Sequence, residues 1–457
     1  MMHTRSRLLI PLLLLATALA SGAHAQGTPD VAGNWLVRVA ATQPLTVVLS
    51  MDERGAVLTP GAVSWSQTVV PAAATRTDSG FVARGTARGG EFALDVAVRG
   101  DSLRGTWSGA GQAPVAAVGL RLPREALAPL TGTAVFDSVV AVLGRNFYDP
   151  GYNGANWNQL VAEARPRAAA ARTDPEAYEV IAGLLRALRT SHLNFVPSVR
   201  LTRPLGASTA AAPAPAARPS VSWRVLSPSL GYLRIESFNP SGAALVPEVA
   251  RMDSAFAAMA ALPAIVIDLR GNEGGSVDLA YRLGQHLNAT PVPAGYFVVR
   301  GGYDSRGMRT AGALDAAGVP ALPTDGSVPG ERLAQAVAAA GGAAMLYIGG
   351  GLDRPYAGRV AVLTDKGTGS AAEAVAAVLQ EARGAIVVGE RTAGAMLSSA
   401  DVVVAPGWRL RFPAMDYRTA AGRRLEGNGV EPSVAAPPAD EAALFRAAAQ
   451  ALRVPAP

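Results

Sequence analysis

The sequence predicts a multidomain protein with a small antiparallel β domain, a helical segment and an α/β core built on a mixed sheet covered by helices. Three changes of pattern support this prediction. Short alternating apolar runs fill residues 26–123, helical apolar spacing follows in residues 124–197, and strands alternate with helices in residues 221–457. The 457 residues, 49% of them hydrophobic, are enough for roughly three domains.

The N-terminus has the pattern of a secretory signal peptide, predicted as residues 1–25. Arg5 and Arg7 precede an apolar stretch at 8–20, and Ala23-His24-Ala25 is a small-x-small cleavage site. The apolar stretch is too short for a comfortable membrane span. We therefore expect an exported protein, periplasmic or extracellular, that is not stably inserted in a membrane after cleavage.

The predicted β domain consists of alternating apolar and polar runs separated by Gly, Asp and Arg turns. The clearest runs are 34–39, 46–49, 91–96 and 103–107. In the helical segment, Phe136 and Val139 mark one apolar stripe, and Tyr178 and Ile181 mark a second. Residues 198–220 are rich in Ala and Pro, have no periodicity, and are interpreted as a linker.

The predicted core begins at residue 221. Near-continuous apolar runs between helical stretches favour a parallel or mixed sheet with both faces covered. The predicted strands are 230–235, 264–269, 360–364 and 385–388, and the predicted helices are 245–261, 277–287 and 371–381. Residues from about 301 to 357 interrupt this rhythm, so we interpret them as an insertion.

Composition excludes several kinds of site and partner. The 41 basic and 35 acidic residues give a net charge of +6, spread without a basic run, so nucleic acid is not an expected partner. The sequence has no cysteine, which excludes disulfides, a thiolate nucleophile and cysteine-based metal sites. The separated histidines and scattered carboxylates match no metal-ligand pattern, and we expect no cofactor. The sequence does not indicate whether the protein is a monomer or an oligomer.

Ser370 is the candidate nucleophile. It stands between the predicted strand 360–364 and an Ala-rich helix that begins at Ala371. A strand–turn–helix connection exposes a side chain beside free helix N–H groups, so Ser370 would have the hydroxyl and the oxyanion donors, including the Ala371 N–H, that acyl transfer requires. Ser370-x-x-Glu373 is also an ordinary capping box, and that alternative stays open.

Two glycine-rich turns are further candidates. The run 268–275, Asp-Leu-Arg-Gly-Asn-Glu-Gly-Gly, either aims N–H groups into a concavity or forms a tight structural turn. It matches neither the dinucleotide fingerprint nor a phosphate-binding loop. The turn 425–432 contains Glu426, which is either a site carboxylate or simply solvated.

His192 is the candidate general base. It follows a predicted helix, where a histidine also serves as a cap that favours the helix dipole, so both interpretations remain. His286 lies between apolar residues on a predicted helix and is interpreted as structural. Lys366 is a rival base, since it lies four residues before Ser370 in the sequence.

Taken together and in this order, the motifs resemble the C-terminal-processing (tail-specific) serine peptidase family, in particular its tricorn-core-like branch. The resemblance covers about residues 131–433 and leaves out the β domain and much of the predicted insertion. The motifs that carry it are Tyr232-Leu233-Arg234-Ile235 with Phe238, the run 268–275, Leu363-Thr364 with Thr368-Gly369-Ser370-Ala371-Ala372-Glu373, Gly389-Glu390-Arg391-Thr392-Ala393-Gly394, and Glu426-Gly427-Asn428-Gly429-Val430-Glu431-Pro432.

The resemblance implies a crotonase/ClpP-like core, a polypeptide substrate and no cofactor. One catalytic plan of the family uses a Ser–Lys dyad, but Ala395 occupies the position of that lysine. The other plan uses a histidine from the helical segment and a late glutamate. It implies that Ser370 is the nucleophile, His192 the general base and Glu426 the orienting acid.

Three further positions follow from the same resemblance. Ser191, beside the histidine, matches a serine that completes a tetrad in that branch. The oxyanion hole would use the backbone N–H of Ala371 and that of one glycine, with Gly274 preferred over Gly275.

The chain departs from the family's Ser–Lys members because residues 198–220 are too few to hold a PDZ domain, so capture of a substrate C-terminus in such a groove is not implied. The sequence is also compatible with two other functions. One is a non-catalytic binding protein for apolar ligands or peptides on the same scaffold. The other is an adaptor whose β domain binds carbohydrate or a partner through Trp35 and Trp107, although core packing explains both tryptophans more simply.

Overall fold

The computed structural model of the protein describes residues 29–40, 45–51, 62–64, 67–87, 90–109, 113–198, 219–323 and 330–457. The predicted signal peptide and all but the ends of the predicted linker 198–220 lie outside these residues. Within the described ranges, no helix combines the length and the hydropathy that a membrane crossing needs.

The N-terminal part is an antiparallel sheet. Among the described residues it contains eight strands: β1 (Gly33–Val39), β2 (Leu45–Met51), β3 (Ala62–Ser64), β4 (Gln67–Arg76), β5 (Gly80–Ala87), β6 (Gly90–Arg99), β7 (Ser102–Gly109) and β8 (Val115–Arg121). Their order is β2-β1-β8-β7-β6-β5-β4-β3. Trp35 is fully buried, and Trp107 stacks on Phe92 with the ring centroids 4.1 Å apart. Both tryptophans therefore pack in the core of this sheet, as the simpler interpretation expects.

Three helices follow, in agreement with the apolar stripes. They are α1 (Ala134–Asn146), α2 (Trp157–Ala170) and α3 (Asp174–Arg186), and they lead into β9 (Asn194–Pro197). Thr173 caps α3 by accepting a hydrogen bond from the Glu176 N–H. The buried faces of α1 and α3 share one hydrophobic cluster with Trp408 and Leu410 from the C-terminal part of the chain. The helical segment is thereby fixed to the core.

The core contains two sheets and the helices that cover them. Its elements are, in chain order, β10 (Val221–Ser227), β11 (Leu230–Ile235), α4 (Leu245–Met259), β12 (Ala264–Asp268), α5 (Asp278–Leu287), β13 (Val292–Val299), α6 (Arg300–Asp304), α7 (Leu333–Ala339), β14 (Ala343–Ile348), β15 (Arg359–Thr364), α8 (Ala371–Arg383), β16 (Ile386–Gly389), β17 (Leu397–Ala405), β18 (Trp408–Arg418), β19 (Val434–Ala435) and α9 (Glu441–Ala451).

The first core sheet has, in the described chain, the order β10-β11-β12-β15-β16-β19. The β10–β11 pair is antiparallel and the other pairs are parallel. Alternate residues of β12 join different clusters: Ile265 and Ile267 pack with α4, α5 and α8, whereas Val266 packs with α9. The prediction of a mixed sheet with helices on both faces is confirmed.

The second core sheet has the order β14-β13-β18-β17, and β9 also pairs with β18. β17 and β18 form a hairpin whose turn is Pro406-Gly407. β14 and α7 both come from residues 301–357, which we interpreted as an insertion. This segment thus supplies an edge strand of the core, although it interrupts the alternation of strands and helices from which the other core strands were predicted.

Candidate active site

Ser370 stands at a strained turn between β15 and α8. Its φ is +53° and its ψ is −125°, a backbone conformation that non-glycine residues adopt mainly at functional sites. Gly274 lies directly against this turn, with a φ of +92°. A Cβ atom on Gly274 would lie 2.6 Å from the Cβ of Ser370 and 2.7 Å from the Ala371 nitrogen. The glycine is therefore required by both its conformation and its close contact with the serine.

Glu373 holds this turn in place. Its buried carboxylate accepts hydrogen bonds from the backbone N–H groups of Ser370 (3.1 Å), Gly394 (2.7 Å) and Ala395 (2.7 Å). Burial raises the pKa of Glu373, whereas these hydrogen bonds lower it. The contact with Ser370 is the backbone interaction of a capping box. Because it uses the N–H of Ser370, capping and a nucleophilic role of the hydroxyl are compatible.

Glu426 reaches across the interface to the helical segment. Its Oε1 accepts the backbone N–H of Ser191 at 2.8 Å, and its Oε2 accepts the Ser191 hydroxyl at 2.8 Å. The Ser191 Oγ in turn lies 2.7 Å from Nδ1 of His192. Glu426 is buried, so the alternative in which it is simply solvated is wrong. Three of the predicted site residues form one continuous hydrogen-bonded chain.

The direction of this chain determines the tautomer of His192. An ionised carboxylate only accepts, so the Ser191 hydroxyl donates to Glu426, and its oxygen is left to accept from Nδ1–H of His192. Nε2 then carries the lone pair. His192 is only 6% exposed, and burial, together with the positive charge of Arg411, lowers its pKa to about 4. The imidazole is therefore neutral at physiological pH and can accept a proton.

His192 and Ser370 line the same cavity, which has a volume of about 770 Å³. Gly275, Ala371 and Arg411 line it as well. Its wall also includes the apolar side chains of Val277, Phe297, Leu333, Met396 and Leu397. The cavity lies where the helical segment, the turn before α8 and the start of β17 meet, and it is large enough for several residues of a peptide.

The two glycines proposed as oxyanion donors have different positions. The N–H of Gly274 donates to Oδ1 of Asn272 at 2.8 Å, so it is already engaged. Gly275 faces the cavity, and among the described residues none accepts a hydrogen bond from its N–H. Ala371 is the first residue of α8, where the helix itself offers no acceptor for the N–H. The geometry favours Gly275 over Gly274, which reverses the order expected from the sequence.

Comparison with known proteins gives the family of this core. Residues 229–436 match the model of peptidase family S41. The chain carries a peptidase family S41 domain. This supports the enzyme class expected from the motifs, a serine peptidase, and the match includes Ser370 and Glu426 but not His192. No curated protein matches the chain.

Several solved structures are similar to the chain that carries this S41 domain. A putative peptidase from Parabacteroides merdae ATCC 43184 has 17% identity and a TM-score of 0.51, and the match covers 71% of this chain and 97% of that one. The photosystem II D1 C-terminal processing protease has 17% identity and a TM-score of 0.44, covering 70% and 97%. The tricorn protease has 10% identity and a TM-score of 0.41, covering 78% and 41%. The similarity to the putative peptidase from Parabacteroides merdae, with a TM-score of 0.51 at 17% identity, supports a common fold of the two chains.

The remaining candidates lie away from the cavity that His192 and Ser370 line. Lys366 is exposed and is not part of the cavity wall. His286 is buried, stacks on Phe256 with ring centroids 4.3 Å apart, and lies 2.7 Å from Asp253 through Nε2, so its environment is structural. Asp268, at the start of the glycine-rich run, binds Arg234 and Arg270. The run 268–275 thus begins with a turn held by ion pairs at Asp268 and ends at Gly275, which lines the cavity.

Sequence reasoning missed Arg411, Asn272 and Arg424. Arg411 lies on β18 beside His192, but nothing in its local sequence distinguishes it from other strand arginines. Asn272 is fully buried and bonds the Ile235 carbonyl as well as Gly274, which a polar residue in a glycine-rich turn indicates only weakly. Arg424 donates to the hydroxyl of Tyr148 and lies two residues before Glu426, so it ties the acid's turn to the helical segment.

Proposed function

We propose that this serine peptidase cleaves peptide bonds through an acyl-enzyme at Ser370, with His192 as general base. The observation that carries the proposal is the chain from Glu426 through Ser191 to His192, which ends at the cavity that Ser370 also lines. It supplies the orientation and the tautomer that a histidine base requires, while burial and the charge of Arg411 keep the imidazole neutral.

In the proposed reaction, the Ser370 hydroxyl attacks the scissile carbonyl while Nε2 of His192 takes its proton. The negative oxygen of the tetrahedral intermediate accepts hydrogen bonds from the N–H groups of Ala371 and Gly275. His192 then gives the proton to the leaving amine as the C–N bond breaks. Water attacks the acyl-enzyme, again with His192 as the base, and releases the carboxylic acid and Ser370.

Ser191 and Glu426 are positioning residues in this scheme. As His192 gains a proton, its charge is stabilised through the Ser191 hydroxyl by the Glu426 carboxylate. Arg411 opposes that charge, since it lowers the pKa of His192. Burial of the imidazole is the larger cause of that lowering, and the charge of Arg411 adds to it.

We also propose that the protein is exported through residues 1–25, on the basis of the sequence pattern described above. The expected mature N-terminus is Gln26. N-terminal sequencing of the protein from its native compartment tests this directly, and an intact Met1 would contradict it.

Hydrolysis of fluorescent casein, an unfolded polypeptide, tests the catalytic assignment. We expect activity in the wild type and in the matched control Lys366→Ala, and its loss in Ser370→Ala and His192→Ala. Circular dichroism would show that the variants are folded. Unchanged casein hydrolysis in folded Ser370→Ala or His192→Ala would overturn the assignment.

A further inference from the structure

The loop 188–192 carries His192 and has a strained backbone. Two of its non-glycine residues have a positive φ, Arg189 at +46° and His192 at +58°. Such conformations persist only where the surrounding structure holds them. The contacts from Glu426 to Ser191 hold the end of the loop that is next to the histidine. The beginning of the loop requires a support of its own.

Asn153 holds the beginning of this loop. Its Nδ2–H donates to the Leu188 carbonyl at 2.9 Å. Asn153 has a φ of +54°, which asparagine tolerates better than most residues, and its backbone N–H donates to Oδ2 of Asp149 at 2.7 Å. The side chain that reaches Leu188 therefore extends from a backbone that is itself held in place.

Two further hydrogen bonds lead from Asn153 to the core. The hydroxyl of the fully buried Tyr148 donates to Oδ1 of Asn153 at 2.6 Å, and Arg424 donates to the same hydroxyl. A guanidinium only donates, so the hydroxyl proton is left for Asn153, whose amide oxygen must face it. The amide nitrogen is thereby directed at Leu188. We call Arg424, Tyr148 and Asn153 the Arg424 relay.

Asp416 on β18 anchors the Arg424 end of the relay. Nε of Arg424 lies 3.5 Å from Oδ1 of this fully buried carboxylate, and the hydroxyl of Tyr303 donates to its Oδ2 at 2.8 Å. An ion pair with a buried charge is costly to break, because the partner left behind would be unpaired. Arg424 is therefore fixed to the core and can support a segment that packs against it.

The two supports of the loop start from one turn of the core. Arg424 and Glu426 are two residues apart in this turn. Glu426 binds Ser191 directly, and Arg424 reaches Leu188 through the relay. The relay residues are not part of the cavity wall, so they do not contact a substrate bound there.

We propose that the Arg424 relay fixes the beginning of the loop and thereby positions His192 for proton transfer. Its three members are then positioning residues of the reaction. The inference rests on the proposed peptidase function and adds a second support to the one through Ser191. Because the relay acts on the base and not on the substrate, its loss lowers kcat and leaves KM nearly unchanged.

Removal of one hydroxyl tests the relay. Tyr148→Phe breaks two of its bonds, whereas the matched control Tyr152→Phe removes a neighbouring hydroxyl whose bond, to the Gly144 carbonyl at 3.4 Å, lies outside the relay. With fluorescent casein, we expect kcat to be about five- to tenfold lower in Tyr148→Phe than in Tyr152→Phe, with KM within about twofold. Circular dichroism would show whether both variants are folded. Equal kcat values in the folded variants would overturn the proposal.

A second variant leaves the buried tyrosine in place. Asn153→Asp keeps an acceptor for the Tyr148 hydroxyl and tolerates a positive φ, but it cannot donate to the Leu188 carbonyl. We expect a similar loss of kcat. Its matched control is Asn156→Asp, which keeps the oxygen that caps α2. Equal kcat values for Asn153→Asp and Asn156→Asp would overturn the proposal, also where Tyr148→Phe does not fold.

NMR of the histidine rings separates the placement of the base from a general loss of stability. His192 and His286 are the only histidines after residue 25, so labelling with ¹⁵N-histidine reports on two rings. The Nδ1–H signal of His192, which is hydrogen-bonded to Ser191, should shift or broaden in Asn153→Asp, while the signals of His286 stay in place.

The outcomes distinguish this inference from the proposed function. Unchanged His192 signals in Asn153→Asp would overturn the relay, whatever the activity of the protein. A wild type that cleaves no casein would overturn the proposed function and the catalytic part of this inference. The NMR comparison would then still show whether the relay holds His192.

Discussion

The nucleophile and the base of this protein are positioned in different ways. Ser370 is held mainly by nearby chain: the strand and helix on either side of it and the carboxylate of Glu373 three residues later. Only the contact with Gly274 comes from a distant part of the sequence. His192 is held by distant chain, through Ser191 and a glutamate more than 230 residues away. The serine's geometry is therefore built into the core, whereas the histidine's depends on how the helical segment docks.

The same contrast appears in the backbone. Both residues have a positive φ, +53° at Ser370 and +58° at His192, which is strained for a side chain other than glycine. At Ser370 the strained backbone conformation is stabilised by α8, which begins at the next residue. At His192 it is supported by the bonds from Glu426 to Ser191 and by β9, which pairs with β18. Disrupting one support should thus affect one catalytic group and leave the other in place.

The largest effect is expected from breaking the chain behind the histidine. Ser191→Ala should lower kcat by about a hundredfold or more, because His192 loses the partner that fixes its tautomer and stabilises its charge. Ser191→Thr, which keeps a hydroxyl, should recover much of that loss. Steady-state hydrolysis of fluorescent casein gives the comparison, and a KM change without a kcat change in Ser191→Ala would contradict a positioning role.

The contact beneath the serine should be nearly as sensitive. Gly274→Ala would place a Cβ within 2.6 Å of the Ser370 Cβ, so we expect about a hundredfold loss of kcat/KM from displacement of the nucleophile. Gly144→Ala, in α1 with open space around it, is the control and should retain activity. Peptide hydrolysis and thermal unfolding of both variants test this. Full activity of Gly274→Ala would show that the close contact is not required.

The pH dependence of kcat/KM tests how the charge of Arg411 affects the pKa of His192. The neutral imidazole is the active form, and burial and Arg411 lower its pKa to about 4, so kcat/KM should begin to fall only well below the ordinary histidine pKa of about 6.5. Arg411→Gln removes a positive charge, raises the pKa and moves the acidic limb to higher pH. Arg409→Gln, which lies outside the cavity wall, is the control. If the acidic limb of the kcat/KM profile lay at the same pH in Arg411→Gln and Arg409→Gln, Arg411 would not be lowering the pKa of His192.

The smallest effect concerns the attachment of α3 to β9, the strand through which the helical segment pairs with β18 of the core. The buried Tyr178 hydroxyl on α3 donates to the Phe195 carbonyl of β9 at 2.9 Å. Tyr178→Phe should lower the free energy of unfolding by about 1 kcal/mol. Fluorophosphonate labelling of Ser370 at saturating probe should be preserved. Chemical denaturation gives the stability, and an unchanged unfolding midpoint would show that this bond contributes nothing.

The contrast also explains what could be predicted from sequence. The elements around Ser370 were predicted within a few residues, because a buried strand, a tight turn and an Ala-rich helix are local patterns. β14 was not predicted, since its pairing with β13 depends on chain about 50 residues away. The preference of Gly275 over Gly274 depends on the side chain of Asn272, and Arg411 is recognisable only by its position beside His192. Such long-range contacts leave no periodic signal.

Site-resolved labelling tests the central claim most directly. The mature protein would be treated with a fluorophosphonate serine probe, digested, and the modified residue identified by mass spectrometry. We predict a single adduct on Ser370 in the wild type and in Lys366→Ala, and none in Ser370→Ala or His192→Ala. An adduct that persists in Ser370→Ala, or one that disappears in Lys366→Ala, would contradict the assignment of Ser370 as the nucleophile and His192 as its base.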